Sequence, residues 1–190
     1  MKRESIIEWI RSLVIALVVL FIINLFFGTT AVINTSMYPN LQEGDMVLLS
    51  KTGEIRRGDV VTFESTLTIT AGDIERLDPL RKLLVKEGDP KNLIKRVIGM
   101  PGDEFDIIGG KIYVNGNELD ESSYFLGETE GDVHIGTIPE GEYFLMGDNR
   151  PLSLDSRSDA VSLVKAEAII GKVLLRYWPL TRLELFRRVY

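Results

Sequence analysis

An uncharged stretch near the N-terminus constrains this chain more than any other feature. Residues 12–33 contain no charged side chain and only four polar ones, Ser12, Asn24, Thr29 and Thr30. A helix of that length reaches about 33 Å, and the hydrocarbon core of a bilayer is about 30 Å thick. We therefore predict a transmembrane helix over residues 12–33, followed by a single domain over residues 34–190.

Two other interpretations of the apolar stretch fit its length and its end less well. A buried helix of a soluble protein seldom runs this far without a charge. A cleavable signal peptide has a shorter apolar region that ends in a small-x-small site, whereas this run leads into Phe26, Phe27 and Gly28. The stretch is therefore interpreted as a retained membrane anchor.

The charges before the apolar stretch predict its orientation. Lys2, Arg3 and Arg11 precede it, together with Glu4 and Glu8. Basic residues favour the cytoplasmic side, and acidic residues count for little in this rule. Residues 1–11 are thus expected in the cytoplasm and the body outside. Because no later segment is apolar enough to span again, the sequence predicts a single-pass protein in contact with a lipid bilayer.

The net charge of −6 is unevenly distributed along the chain. Residues 1–33 sum to +1 and residues 165–190 to +4, which leaves −11 on residues 34–164. An acidic body argues against nucleic acid as a partner, since phosphate binding needs a clustered basic face. The basic C-terminal stretch either lies near anionic lipid headgroups or is a solvated tail.

The chain has no cysteine and a single histidine, His134. Disulfides, thiolate zinc sites, iron–sulfur clusters and a cysteine nucleophile are thereby excluded. One histidine also leaves almost no room for a multi-histidine metal site. The sequence therefore predicts neither a metal site nor another cofactor, and it places His134 in an ordinary loop.

Short runs rich in Val, Ile, Leu and aromatic residues, bounded by turn-forming residues, dominate the body. These runs are residues 45–49, 60–63, 93–98, 104–108, 111–114, 143–146 and 169–178. Gly109 and Gly110 separate two of them by the two residues of a hairpin loop. The pattern predicts a mainly β domain, an antiparallel sheet or barrel-like arrangement, attached to one N-terminal helix.

One segment shows helical rather than strand periodicity. Apolar residues recur at helical spacing over residues 73–87, namely Ile74, Leu77, Leu80, Leu83 and Leu84. Pro79 lies inside that pattern and either breaks or starts the helix. The segment belongs to residues 64–92, which we interpret as an insert. Such an insert is either an ordinary surface excursion or a segment that flanks a cleft or binds a partner.

Three polar clusters, residues 34–41, 93–103 and 147–157, carry side chains capable of catalysis. Ser36 is a candidate nucleophile, because it stands in a non-regular segment where a hydroxyl can be exposed. With thiols absent and His134 in a loop, its base has to be a lysine or a carboxylate.

Lys95 is the best lysine for that role. Alternation along residues 93–98 places it on the same strand face as Leu93 and Val97. A lysine on a half-buried apolar face is desolvated, which lowers its pKa and leaves some neutral amine near pH 7. The alternative is that Lys95 lies on the solvent face of an edge strand, with Arg96 inward or paired.

Four motifs follow the N-terminal apolar stretch in this order: SMYPNL at 36–41 with GD at 44–45, RGDVVTF at 57–63, KRVIGMPGD at 95–103, and IPEGEYFLMGDNR at 138–150 with SxDSR at 153–157. Together they resemble the type I signal peptidases, the membrane-bound serine–lysine endopeptidases that remove signal peptides. Each motif is weak alone, but their common order makes a coincidence very improbable.

The resemblance implies a mechanism and a substrate. It implies Ser36 as nucleophile, Lys95 as general base, and Ser153 as the hydroxyl that orients the lysine amine. It further implies that the substrates are signal peptides of secreted preproteins, cut after small residues in an Ala-x-Ala pattern. The expected location is the bacterial cytoplasmic membrane, with the catalytic domain outside the cytoplasm.

The same resemblance implies supporting roles for other residues. Asp155 and Arg157 fall where the family has a structural acid–base pair, and Gly147 and Asp148 match positions that support the catalytic strands. For Arg150 a surface ion pair in a turn is the favoured interpretation.

The chain departs from the family pattern at Asn34, at Pro151 and Leu152, which replace a more polar pair, and over residues 158–161. Asn34 stands two residues before the nucleophile, where some members have a serine or glycine. The oxyanion hole is expected to use the Ser36 backbone N–H, with the Asn34 side-chain amide as a candidate second donor. Residues 158–161, SDAV, replace the usual aromatic and glycine and predict a longer loop at the edge of the substrate cleft.

Three other functions compete with this one. A membrane-tethered β domain that binds without cutting is disfavoured, because Ser36, Lys95 and Ser153 are all present. A self-cleaving repressor is disfavoured as well, since it needs a DNA-binding N-terminus. A serine–lysine peptidase with a specialised substrate stays open on the sequence alone.

Overall fold

The computed structural model describes residues 3–75, 82, 83, 85–125, 127 and 129–186. The helices of this part of the chain are α1 (Arg3–Phe26) and α2 (Ala71–Glu75). Its strands are β1 (Phe27–Ala31), β2 (Met46–Ser50), β3 (Val60–Thr68), β4 (Pro90–Gly99), β5 (Glu104–Ile108), β6 (Lys111–Val114), β7 (Asn117–Glu118), β8 (Val133–Thr137), β9 (Glu142–Met146), β10 (Val164–Lys165), β11 (Ile169–Trp178) and β12 (Glu184–Leu185). Short 3₁₀ turns cover Arg150–Leu152, Ala166–Ala168 and Leu180–Arg182.

The helix α1 contains the apolar stretch but ends earlier than predicted. Its segment Ile7–Phe26 has 20 residues and a mean hydropathy of 2.4, and none of it is buried against the rest of the fold. It is long and apolar enough to cross a bilayer. The helix ends at Phe26 instead of reaching residue 33.

Residues 27–31 form a strand, so the predicted helical boundary is wrong. β1 pairs antiparallel with β2, with Phe27 opposite Ser50 and Ala31 opposite Met46. Gly28 is a poor helix former and the β-branched Thr29 and Thr30 favour strands. The uncharged stretch therefore extends beyond Phe26, where the backbone changes from helix to strand.

Lys51, directly after β2, bonds to the end of α1. Its Nζ donates to the Asn24 carbonyl at 2.8 Å, and its backbone N–H donates to the Phe26 carbonyl at 2.8 Å. The last carbonyls of a helix lack partners within the helix and carry partial negative charge. Lys51 satisfies two of them and fixes the helix end against the first hairpin.

In the described part of the chain the strands form two sheets, and every pairing is antiparallel. The larger sheet has the order β1-β2-β11-β3-β4-β9-β10, with β12 on β11, and the smaller sheet has the order β7-β6-β5-β8. Gly109 and Gly110 form the predicted two-residue loop, and both have positive φ angles. The mainly antiparallel β class with one N-terminal helix is confirmed.

The interpretation of residues 64–92 as an insert is wrong at both ends of this segment. β3 extends to Thr68 and β4 begins at Pro90, so both ends belong to the larger sheet. The predicted helix over residues 73–87 is represented by α2, while residues 76–81 and 84, including Pro79, lie outside the described residues. It does not reach residue 87, because Lys86 donates its backbone N–H to Asp89 within a turn.

The two sheets pack together through one of the hydrophobic clusters. Its buried members are Ile98, Phe105, Ile107, Ile112, Val114, Tyr124, Ile138, Phe144 and Met146. The Phe105 and Phe144 rings stack with centroids 4.3 Å apart. Gly99 allows this approach, since a Cβ there would lie 2.4 Å from Ile138 Cδ1. The smaller sheet is thereby fixed onto β4 and β9, the strands that lead into the second and third polar clusters.

Candidate active site

Buried side chains that follow Ser36 hold it in the turn between β1 and β2. Met37 and Leu41 belong to the cluster that covers the larger sheet, and the Leu41 N–H donates to the Met37 carbonyl at 2.8 Å. Ser36 itself is only 4% exposed. The predicted non-regular segment is present, but the hydroxyl is not freely exposed.

The loop after β9 holds the same turn from the opposite side. The backbone N–H of Asn149 donates to the Ser36 carbonyl at 2.9 Å, and its side-chain amide donates to the Thr35 carbonyl at 3.0 Å. The first and third polar clusters of the sequence are thus joined by two hydrogen bonds at the serine.

Lys95 reaches Ser36 from the middle of the larger sheet. It is 1% exposed, and its strand β4 is paired on both sides, by β3 and by β9. The alternative of an exposed edge strand is therefore wrong. The Lys95 Nζ lies 2.7 Å from Ser36 Oγ.

The surroundings of Lys95 favour the neutral amine. Burial lowers the pKa of Lys95 from 10.5 to about 8, because a charged ammonium loses its hydration there. The negative charges of Asp155 and Asp148 oppose this effect, and the positive charge of Arg157 adds to it. Desolvation wins, so an appreciable share of the amine is deprotonated near neutral pH.

Asn34 contacts Ser36, but through the opposite end of its amide from the one expected. Its Oδ1 accepts from the Ser36 hydroxyl at 2.9 Å and from the Ser36 backbone N–H at 3.2 Å. A second oxyanion donor would have to present the amide nitrogen and leave the backbone N–H free. In this arrangement Asn34 occupies both groups as an acceptor, which differs from the expected oxyanion geometry.

Ser153 lies beside the nucleophile segment without bonding to Lys95. Its buried Oγ has no hydrogen-bond partner among the described residues, so the predicted bond to the amine is not formed. A Cβ on Gly147 would lie 2.2 Å from Ser153 Oγ and 2.5 Å from the Ser36 carbonyl oxygen. Ser36, Gly147 and Ser153 therefore meet at a point where only glycine fits. The role of Ser153 in orienting the Lys95 amine stays a prediction.

The expected acid–base pair is present and supports this point of contact. Arg157 Nε donates to Asp155 Oδ1 at 2.9 Å, and the carboxylate of Asp155 is fully buried. The other oxygen of Asp155 accepts from the Gly147 backbone N–H at 3.0 Å. The pair thus fixes the start of the loop that also bears Asn149.

Asp148 is the buried ion-pair partner of Arg96, which the sequence alternative placed inward or paired without naming a partner. Arg96 donates from Nε to Oδ1 at 2.8 Å and from Nη2 to Oδ2 at 2.7 Å, and its guanidinium stacks on the Tyr124 ring. Arg96 follows Lys95 directly, and both are buried. Strand alternation predicts one buried residue of two, but both faces of β4 are covered here. The signal in the sequence was a second charged residue inside the apolar run 93–98, since a buried charge needs a partner.

Arg150 is buried, so its interpretation as a surface ion pair is wrong. It is 2% exposed and bonds to Glu121 and Thr129, while its Nε donates to the Gly147 carbonyl at 3.0 Å. Its guanidinium also covers the Phe125 ring. Arg150 therefore joins the loop after β9 to the segment that follows β7.

His134 lies in strand β8 and not in a loop, and its exposed ring contacts Asp106. Across the described ranges no three His, Asp or Glu residues are arranged to hold a metal ion. Neither observation adds a group to the Ser36–Lys95 site.

Comparison with known proteins now identifies the family. The family described as "Signal peptidase, peptidase S26" matches residues 6–178. The chain belongs to the type I signal peptidases. The signal peptidase IB of Staphylococcus aureus (strain COL) is 35% identical over 206 residues, which covers 97% of this chain and 95% of that protein.

Two further matches carry the same family name. The signal peptidase I of Streptococcus pneumoniae (strain ATCC BAA-255 / R6) is 50% identical over 50 residues, 26% of this chain and 24% of that protein. The crystal structure of a signal peptidase I from Enterococcus faecalis V583 aligns with a TM-score of 0.44 and 26% identity, over 63% of this chain and 97% of that one. Family membership makes this peptidase a hydrolase of the serine peptidase class that cleaves signal peptides from preproteins.

Proposed function

We propose that this peptidase is a membrane-bound endopeptidase in which Ser36 is the nucleophile and neutral Lys95 is the general base. The observation that carries the proposal is the 2.7 Å contact between Lys95 Nζ and Ser36 Oγ, made by an amine whose pKa burial lowers to about 8. A base works best when its pKa lies near the operating pH, and this amine meets that condition without a histidine.

The first half of the reaction forms the acyl-enzyme. Ser36 Oγ attacks the scissile carbonyl while its proton passes to the neutral amine of Lys95. The resulting ammonium then gives a proton to the nitrogen of the leaving peptide as the carbon–nitrogen bond breaks. Lys95 returns to its neutral form, and the acyl group stays on Ser36.

The second half releases the signal peptide. The amine of Lys95 takes a proton from a water molecule, which attacks the acyl carbonyl, and the proton returns to Ser36 Oγ as the ester bond breaks. No metal or organic cofactor enters either step.

Asn34 has to change its bonding during attack. Its Oδ1 holds the Ser36 hydroxyl and the Ser36 backbone N–H in the described arrangement. The hydroxyl hydrogen must turn toward Lys95, and the backbone N–H must be released by Asn34 before it can donate to the oxyanion that develops on the substrate. We propose that the Asn34 side chain rotates away from both groups on substrate binding and that its amide nitrogen then serves as the second oxyanion donor.

The anchor and the specificity complete the proposal. α1 is apolar and unburied along Ile7–Phe26, which supports a span of the cytoplasmic membrane of a bacterium. The basic residues before it favour a cytoplasmic N-terminus and an extracytoplasmic catalytic domain. Cleavage after a small residue, in an Ala-x-Ala context, rests on the resemblance in the motifs around Ser36 and Lys95.

The proposal is tested by cleavage of a preprotein with an Ala-x-Ala site, using the full chain in detergent. Wild type is compared with Ser36→Ala, Lys95→Met and the exposed-lysine control Lys111→Met, and mass spectrometry locates the cut. We expect wild type and the control to cut after the small residue, and the two site variants to fail while folded. Cleavage that survives Lys95→Met would refute the base assignment.

A further inference from the structure

Asn40 connects the turn that carries Ser36 to the strand that carries Lys95. Its side-chain amide donates to Asp148 Oδ2 at 2.8 Å and to the Tyr124 carbonyl at 2.9 Å. An asparagine amide has two N–H donors, so both are used. One of them meets a carboxylate, which makes that bond stronger than one between neutral groups.

The carboxylate that Asn40 meets is fixed relative to Lys95. Asp148 is held by two parallel bonds from Arg96, and both side chains are buried. Arg96 is the neighbour of Lys95 in β4. If Asn40 moves relative to Asp148, the turn that carries Ser36 therefore moves relative to β4, which carries Lys95.

The main chain of Asn40 is anchored on its other side by β11. Arg176 Nη1 donates to the Asn40 carbonyl at 2.7 Å and lies 3.3 Å from the carboxylate of Asp45. Asp45 has no exposed surface, accepts the backbone N–H of Gln42 at 2.8 Å and pairs with Arg182. The far end of the turn is thus fixed to the C-terminal part of the larger sheet.

These contacts matter because Ser36 and Lys95 come from separate elements. Their Oγ and Nζ atoms are 2.7 Å apart only while the turn and β4 keep their relative position. We propose that Asn40 is a positioning residue, which sets this distance through its bond to Asp148. The inference rests on the proposed Ser36–Lys95 chemistry.

Asn40→Ala removes both side-chain bonds and leaves the carbonyl that Arg176 contacts. A misplacement of about 1 Å lowers a rate by up to about a hundredfold, so we expect kcat to fall between about ten- and a hundredfold with KM unchanged. The midpoint of the pH–rate profile should stay near that of wild type, because Lys95 remains buried. Asn117→Ala is the matched control, since Asn117 is exposed and the one side-chain bond it makes in the described structure is its donation to the Asn115 carbonyl at 3.0 Å.

The measurement is kcat and KM on a peptide with an Ala-x-Ala site, expressed per folded enzyme from urea unfolding curves of the full chain in detergent. Asn40→Asp serves as a second variant of nearly the same volume, and its carboxylate facing Asp148 should lower kcat at least as much as alanine does. An unchanged kcat per folded enzyme in both variants overturns the inference, as does a loss confined to KM. Failure of wild type to cleave, or activity of Lys95→Met, would instead overturn the proposed function.

Discussion

Replacing Lys95 by methionine tests the depressed pKa without relying on activity. Methionine has a similar length and no charge, so the variant removes the buried ammonium and keeps most of the packing. At pH 7 the lysine is mainly protonated in both the folded and the unfolded chain, and the folded chain alone carries the desolvation penalty. The difference between a pKa of 10.5 unfolded and about 8 folded corresponds to about 3 kcal/mol.

The sign of the pH dependence follows from proton binding. Between pH 8 and pH 10.5 the unfolded chain binds more protons than the folded one, so the stability of wild type rises with pH through this window. The lost bond to Ser36 costs about 1 kcal/mol and does not change with pH in the same way. We therefore expect Lys95→Met to be more stable than wild type by about 2 kcal/mol at pH 7, an advantage that disappears by about pH 10.

The assay is urea unfolding of the full chain in a nonionic detergent, followed by far-UV circular dichroism at several values between pH 6 and pH 10. Wild type and Lys95→Met share all their other titratable groups, so the difference between their free energies of unfolding reports on Lys95. Lys111→Met serves as the control for the loss of a lysine without burial, because Lys111 is exposed and pairs with Glu118 at the surface. A stability difference for Lys95→Met that is constant between pH 6 and pH 10 would refute the claim that burial favours the neutral amine.

Two further predictions concern the same site. The specificity constant kcat/KM should rise about tenfold per pH unit below pH 8 and level off above it. The reason is that about one amine in ten is neutral at pH 7 when the pKa of Lys95 is about 8. A pH profile of kcat/KM on a soluble peptide that is flat from pH 6 to pH 9 would contradict this. Gly147→Ala should abolish cleavage and lower stability by about 1–3 kcal/mol, because its Cβ would lie 2.5 Å from the Ser36 carbonyl oxygen; cleavage at the wild-type rate with an unchanged urea midpoint would show that the loop yields easily.

The strands of the body were predictable because their signals are local. Turn residues bound the runs that became β5 and β6, and Gly109 and Gly110 set their connection. β8 was not predicted, because Gly136 and His134 interrupt the run of apolar residues. Pairing with β5 stabilises the strand where its local strand propensity is weak. Such tertiary pairing outweighs local propensity in a strand of moderate composition.

The sequence singled out Ser36 and Lys95, which the structure brings together, but it did not reveal the network around them. Ser36 and Lys95 were found from chemistry and resemblance, whereas Arg96 and Asn40 gain their roles only from partners far away in sequence. Alternation marks one face of a strand as buried, and it fails at β4 because both faces are covered. The direction in which the Asn34 amide points is likewise absent from the sequence, since it depends on which backbone groups the turn leaves unpaired.

Pairing with residues distant in the sequence also determines where α1 ends. The position of this helix end bears on where the reaction occurs. Composition alone continued the helix to residue 33, whereas β1 begins directly after Phe26 and bonds to β2. Lys51 fixes this junction by bonding to both Asn24 and Phe26. If α1 spans the bilayer as proposed, the catalytic sheet begins at the outer surface of the membrane, and Ser36 is held there by a hydrogen-bonded strand and not by a flexible tether. A signal peptide anchored in the same bilayer then meets the serine at a fixed height, which raises the effective concentration of its cleavage site.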